Sequence, residues 1–394
     1  MNPTRKPGGR FWAALLAATL LNLPLGSVYS FSVLLRPIET ELGIPRSALS
    51  LVFGLATIGF TAGSVLASFL YRAAPVPLLV LAAAVAAGGG IALTATATGL
   101  AQLLVGYGVV FGTGGGVAYI LLQQSVNLLA QRRLGLVNGY IVSLYPLGAM
   151  LATPAFHASN EAFGWRATLW GLAAVLLAAG ALAALLAQAS GARLAPAPGT
   201  APVRPAALGA TFAKLAATFF LAASAGLMVL SQAREIIGSY GGAATLAVAA
   251  TTGITAAIAV ARISGGWLTD RFAVPHVMCF AQALALCGGL LLTLLPSPAT
   301  AVVGLGLIGM GYGFVSGATA GSIALYWPPA DFGRVAGRTY IAWCGAAIGL
   351  PVLAGYLFDL TRGYWAAVLI AVAANLLGMA AALTLPRAGR SRAG

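Results

Sequence analysis

The chain has 394 residues, 60% of them hydrophobic and only 7% charged, with a formal net charge of +14 and a mean hydropathy of +0.94. That balance excludes a soluble domain and a disordered chain, and long unbroken apolar runs exclude a β-barrel, which reads as short alternating segments. The basic residues sit at the ends of apolar runs rather than on one face or in a tail, so no nucleic-acid partner is expected.

The chain begins with Thr4-Arg-Lys-Pro and an apolar run from Phe11 to about Leu35. No cleavage site is evident, so this run reads as an uncleaved first span. Further spans are expected at about 48–70, 76–97, 100–129, 136–158, 165–188, 209–232, 242–268, 275–295, 299–326, 335–358 and 364–385. The fold class is therefore an all-α polytopic membrane protein of about twelve transmembrane helices. Between Ser190 and Leu208 the composition turns to Ala and Pro with Arg193 and Arg204, which reads as a flexible or polyproline-like linker. The expected organisation is a six-helix bundle over 1–189, a linker over 190–208 and a second six-helix bundle over 209–394.

Placing both termini in the cytoplasm puts fifteen Lys and Arg on that side, among them Arg5, Lys6, Arg132, Arg133, Arg204, Arg271, Arg334, Arg390 and Arg392. Five remain outside: Arg36, Arg46, Arg166, Arg234 and Arg362. This asymmetry predicts a multi-pass protein of the plasma (inner) membrane with cytoplasmic termini and the lipid bilayer as its partner.

The two halves repeat at an offset of about 198–199 residues. Gly135-Leu-Val-Asn-Gly139 matches Gly333-Arg-Val-Ala-Gly337, and Phe163-Gly-Trp165 matches Arg362-Gly-Tyr364. Gly112-x-Gly114 matches Gly311-x-Gly313, and Tyr71-Arg72 falls on Asp270-Arg271. Four matches in order at nearly one offset argue for duplication of a six-helix unit, a design whose substrate site lies near the bilayer midplane.

Arg262 stands apart from the other charges. It lies in the apolar run 249–268, eight residues before Asp270, which is about 12 Å from the helix end at 1.5 Å per residue. In a hydrocarbon core about 30 Å thick that is close to the centre. A guanidinium there costs about 2.5–3.5 kcal/mol on the insertion scale and cannot shed its proton, so it needs an acceptor. Under the repeat, Tyr145 and Trp343 occupy equivalent positions about ten residues from the loop ends, too deep for an interfacial belt. Both are expected to line a central cavity.

Other polar features read as structure. Cys279, Cys287 and Cys344 lie in apolar runs without metal spacing and are expected as packed thiols. His157 and His276 fall at helix ends, where solvated or capping roles are expected, with a proton relay as the alternative. Gly88-Gly-Gly90 and Gly112-Thr-Gly-Gly-Gly116 lack the lysine of a phosphate loop and suit close helix packing. Glu39, Glu41, Glu161, Glu235 and Asp359 all fall toward the outer side, leaving no acid at mid-membrane. No nucleophile elbow, zinc motif or Walker A is present, so neither an enzyme nor a cofactor or metal is expected.

With these features the chain resembles the major facilitator superfamily over essentially its whole length. Gly266-x-Leu268-x-Asp270-Arg271 is similar to the superfamily's cytoplasmic loop signature, here after helix 8; the first-half copy, Ala67-Ser-Phe-Leu-Tyr71-Arg72, lacks the acidic residue. Gly26-Ser-Val-Tyr-Ser-Phe-Ser-Val-Leu34, Arg262-x-x-x-Gly266-x-Leu-x-Asp-Arg271 and Leu353-Ala-Gly-Tyr-Leu-Phe-Asp359 resemble the oxalate/formate antiporter family and its monocarboxylate-porter relatives. The resemblance implies that Arg262 pairs with a substrate carboxylate. It implies that Tyr29, Tyr119, Tyr145, Tyr312, Tyr340 and Trp343 wall the cavity, and that Gly266, Asp270 and Arg271 serve gating. Trp343 stands where oxalate carriers place a lysine. The expected function is a monomeric secondary transporter of small carboxylates, chiefly monocarboxylates, by proton symport or anion exchange. An exporter of another small molecule such as a drug or sugar, with Arg262 structural, is the alternative.

Overall fold

Residues 8–194 and 207–387 are described by a computed structural model. The terminal charges Arg5, Lys6, Arg390 and Arg392, and the linker stretch 195–206 with Arg204, lie outside them. The chain is 88% helical with no strands among the described residues. The helices are α1 (Gly9–Leu25), α2 (Ser32–Leu42), α3 (Arg46–Leu70), α4 (Val76–Ala95), α5 (Leu100–Leu129), α6 (134–163) and α7 (165–190). They continue as α8 (Gly209–Ser239), α9 (Ala244–Thr269), α10 (Val274–Leu294), α11 (Pro298–Tyr326), α12 (Phe332–Thr361) and α13 (Trp365–Leu383).

Among the described residues, eleven continuous helical stretches are long and apolar enough to cross a membrane. One of them, Leu134–Ser190, is α6 and α7 joined at Gly164, where φ is 80° and ψ 163°. Glycine adopts that backbone without a Cβ clash. Counting both arms gives the expected twelve. Helices start at or just after proline, as at Pro45, Pro75 and Pro298, the last within the Ser297–Thr300 capping box of α11. The helix end at Gly43 uses a left-handed residue, φ 65°.

The first span departs from expectation. A single helix over 11–35 is predicted, but a tight 3-10 turn at Gly26–Ser30 separates α1 from α2, and the helix runs on to Leu42. Pro24 lacks the N–H that would sustain α1. A Cβ on Gly26 would sit 2.3 Å from the Tyr145 carbonyl oxygen, so the turn lies directly against the α6 backbone.

Large apolar side chains such as Leu151, Phe69, Leu185 and Leu360 are exposed, while amides and hydroxyls such as Asn22, Gln123, Asn138, Ser143 and Asn375 are buried. In lipid the hydrophobic effect does not hold helices together, and small residues with internal polar contacts do that work.

The chain clusters into two compact units. The first takes the chain up to Arg132, the stretch from Leu144 toward the linker, and Pro328–Tyr340. The second takes Arg133–Ser143, Ala207–Trp327 and the chain from Ile341 onward. Each unit thus contains one helix start from the other sequence half: the beginning of α6 belongs to the second, and the beginning of α12 to the first.

Within the first unit, Glu41 accepts hydrogen bonds from Trp165 Nε1 and, at 2.8 Å, from Arg166 Nε. Arg166 also donates to the carbonyls of Ala95 and Ala97, both at 2.8 Å, so one guanidinium joins the ends of α2, α4 and α7. The bonds from Arg166 and Trp165 hold the Glu41 carboxyl below its ordinary value of 4.5. A depressed carboxyl stabilises the fold above its unfolded value and loses that contribution as pH falls through its folded value. Glu41→Gln should therefore lower the melting temperature near neutral pH, and the gap to wild type should close on acidification below about 4.5. A constant gap in detergent melts across that range would show that the ion pair carries no stability.

Candidate functional site

Arg262 is the only charged side chain in the buried interior among the described residues, at 4% exposure. Its Nη1 donates to the Val142 carbonyl on α6 at 2.9 Å, and its Nη2 donates to the Tyr312 hydroxyl on α11 at 3.0 Å. The guanidinium carbon also stands 5.2 Å from the Tyr312 ring centroid, within cation–π range. Trp343 on α12 donates its indole N–H to the same hydroxyl at 3.0 Å. Backbone contacts fix the height of Arg262: a Cβ on Gly317 would sit 1.8 Å from the Arg262 carbonyl oxygen, and one on Gly139 2.5 Å from it. Three helices therefore meet at this residue with almost no slack.

The Tyr312 hydroxyl accepts from two donors. What it retains is its own proton. The single indole N–H is already given to Tyr312, so the guanidinium and the phenol proton are the donors that match the cluster to an incoming group that only accepts.

The remaining aromatics form a second cluster, in the first unit. Tyr340 donates its hydroxyl proton to Tyr119 at 2.7 Å, and their rings meet edge-on at 5.4 Å. Tyr119 meets Tyr145 at 5.4 Å, and Tyr145 meets Tyr29 at 6.3 Å. At the centre is Phe60 on α3, 5.4–5.6 Å from Tyr119, Tyr145 and Tyr340. The structure thus brings Arg262, Tyr312 and Trp343 together in one unit, and Tyr29, Tyr119, Tyr145 and Tyr340 in the other. Phe60 is not evident from sequence. The one available signal is position, since Phe60 lies about a turn before Gly63, the residue that the 199 offset sets against Arg262.

Gly266, Asp270 and Arg271 separate in role. Asp270 caps the start of α6, accepting from the N–H of Gly135 at 2.8 Å and of Leu136 at 2.9 Å. A carboxylate at a helix N-terminus meets both unsatisfied N–H groups and the positive end of the dipole. Burial pushes the Asp270 carboxyl up; the two N–H bonds and the charge of Arg133 pull the other way without cancelling it. Gly266 permits the approach, since a Cβ there would lie 2.2 Å from the Gly135 carbonyl oxygen. Arg271 does not share in this tie; its guanidinium lies over the ring of Trp267, near the end of α9, at 4.2 Å.

At the equivalent helix start, in α12, no loop acid takes the Gly333 N–H. Gln124 of α5 does so instead: its Oε1 accepts from the Gly333 N–H at 2.6 Å, and its Nε2 donates to the Pro329 carbonyl at 2.8 Å. The first-half loop has lost its acidic residue, and a buried amide from another helix now holds the matching position. Gln124 stands in the short polar stretch Gln123-Gln124-Ser125, which carries no signal of a cap on a distant helix, so this role is not legible in the sequence.

A family model described as the Major Facilitator Superfamily matches residues 15–344. The chain belongs to the Major Facilitator Superfamily. It is a multi-pass membrane transporter and not an enzyme. It is similar to the uncharacterized MFS-type transporter YhjX of Escherichia coli (strain K12), with 27% identity over 303 residues covering 74% of this chain and 73% of that one. It is also similar to monocarboxylate transporter 11 of Mus musculus, with 28% identity over 415 residues covering 97% and 88%. Among solved structures, the superfamily transporter FucP in its outward conformation superposes with a TM-score of 0.72 at 15% identity, covering 95% of this chain and 99% of that one. The proton:xylose symporter XylE does so at 0.71 and 15%, covering 95% of each. At that identity the superpositions speak for the fold.

Tyr312→Phe should strip the acceptor from two buried donors, Arg262 Nη2 and Trp343 Nε1, at about 1–3 kcal/mol for each group left unsatisfied. The expected result is a clear fall in the detergent melting temperature with insertion intact. A variant melting with wild type would mean that this hydroxyl does not hold the cluster.

Proposed function

We propose that the protein carries small monocarboxylates of the lactate, pyruvate or formate kind across the inner membrane by alternating access, as proton symport or anion exchange. The observation that carries this reading is the all-donor cluster. Arg262 and the Tyr312 proton suit a group that accepts hydrogen bonds and bears negative charge, and a carboxylate fits a guanidinium fork bidentately. The likeness to a monocarboxylate transporter agrees with it. In this reading Arg262 grips the anion and Tyr312 and Trp343 orient it. Tyr29, Tyr119, Tyr145 and Tyr340 line the path, and Asp270 with Gly266 secures one conformation. The protein acts as a monomer whose six-helix halves, 1–189 and 209–394, are joined by the linker 190–208, with both termini cytoplasmic.

A structural role for Arg262, in a carrier of a different small molecule, is the second reading. The bond to Val142 favours it, because the guanidinium already has a backbone acceptor. Arg262→Lys separates the two. The charge is kept and the planar fork is lost. Under the first reading, uptake of radiolabelled lactate falls by roughly tenfold or more, in line with losing a charge-assisted bond, while folding is retained. Wild-type uptake by this variant would sink the substrate role.

The same cluster sets selectivity. One guanidinium satisfies one carboxylate, and Trp343, whose N–H holds Tyr312, brings no second charge. A dicarboxylate would leave an unpaired carboxylate in a low-dielectric site. Competition against lactate uptake should rank lactate, pyruvate and formate above oxalate and malonate. Oxalate or malonate as the strongest competitor would overturn the monocarboxylate assignment.

A further inference from the structure

In an α-helix the N–H of each residue bonds the carbonyl four residues earlier. Residue 146 is proline, which has no N–H, so the carbonyl of Val142 cannot receive its helical bond. That same carbonyl receives Arg262 Nη1 at 2.9 Å. The chain repeats the device in weaker form: Pro37 frees the carbonyl of Val33, which Asn160 Nδ2 reaches at 3.5 Å. At these two prolines a side-chain donor from another helix takes the freed carbonyl.

We propose that Pro146 is the positioning residue of Arg262: it keeps the Val142 carbonyl clear of its helical N–H, so that this carbonyl is the acceptor that the guanidinium holds whenever no substrate anion is bound. The carbonyl then competes with the anion. A carboxylate that draws Nη1 away leaves Val142 with neither a helical partner nor an arginine, and binding is weakened by that loss. A neutral carbonyl is also a weaker acceptor than a carboxylate, so the arginine is held in place and still yields to substrate. The transport consequence rests on the reading of Arg262 as the anion's partner; the link between Pro146 and Arg262 does not.

The test has two parts. The first uses no ligand: the full-length protein in detergent is melted as wild type, Pro146→Ala, Arg262→Met and the double variant. Alanine restores the N–H and closes the helical bond to Val142. In the Arg262→Met background that change should raise Tm, whereas with Arg262 present it should raise Tm less or lower it, because the arginine loses its acceptor. Pro154→Ala in the same helix, which would close a bond to Met150 instead, should behave alike in both backgrounds. If Pro146→Ala is not recovered folded, Pro146→Gly restores the same N–H and is read in the same cycle. Additive shifts for Pro146 and Arg262 would overturn the proposal whatever the substrate is.

The second part measures radiolabelled lactate exchange in proteoliposomes. Pro146→Ala should lower the apparent KM by roughly three- to tenfold, the scale of sparing a buried acceptor from being orphaned, with a smaller change in maximal rate. A purely structural proline would change the maximal rate and leave KM alone. Coupled melting shifts with an unchanged or higher KM would overturn the competition between carbonyl and anion. Coupled melting shifts with no lactate exchange by any form, wild type included, would instead sink the monocarboxylate reading and leave the placement of Arg262 by Pro146 standing.

Discussion

A guanidinium that stays charged inside a low-dielectric span has to be met by acceptors at every moment, and the packing around Arg262 is arranged to meet it. Coulomb and hydrogen-bond energies rise as the dielectric falls, so an unmet donor there is heavily penalised. The chain answers with a phenol on α11 and a bare backbone carbonyl on α6. Both acceptors must come within 3 Å, which requires three helices to approach at backbone distance. Gly139 and Gly317 make that approach possible, since any side chain at either position would strike the Arg262 carbonyl. The glycine pattern is thus a consequence of the charge as much as of helix packing.

The Tyr312 hydroxyl is the joint of this arrangement. It accepts one hydrogen bond from the arginine and one from Trp343, so two residues on different helices are fixed through a single oxygen. Trp343 could have been read as bulk alone. Its indole N–H ties α12 to α11, and the ring is held at 7% exposure. A lysine at that position would present a second, mobile charge in place of a fixed neutral donor.

Much of this was legible in the residues. Twelve spans could be read because membrane helices must be long, apolar and self-satisfied in their backbone bonds. Arg262 was legible because a charge so far from a helix end has no ordinary explanation. The break at Gly26–Ser30 was not, since a 3-10 turn keeps the same apolar composition as the helix it interrupts. Phe60 was hidden for a similar reason: on an apolar helix, a ring turned inward and a ring turned to lipid look the same in sequence. The Val142 carbonyl is a backbone atom and leaves no letter of its own; only Pro146, four residues on, betrays it. The crossing of the starts of α6 and α12 between the compact units was likewise invisible, because it depends on backbone contact and not on residue type.

Those two helix starts show what duplication preserves. Gly135 and Gly333 are equivalent in the repeat, and each exposes N–H groups at a helix N-terminus that something must accept. At Gly135 the acceptor is Asp270, carried by the loop after α9. At Gly333 it is Gln124, carried by α5, and the residue in the place of the acid is Tyr71. The geometric need has survived in both halves while the chemistry that meets it has diverged. One helix start is met by a carboxylate, whose grip strengthens with its charge and with the dipole behind the N–H groups. The other is met by an amide that both accepts and donates, and whose grip does not change with pH over any range in which the protein is folded. A signature that is complete in one half and broken in the other therefore does not mean that one helix start is loose. It means that the second is held from a different element, and only the structure shows which.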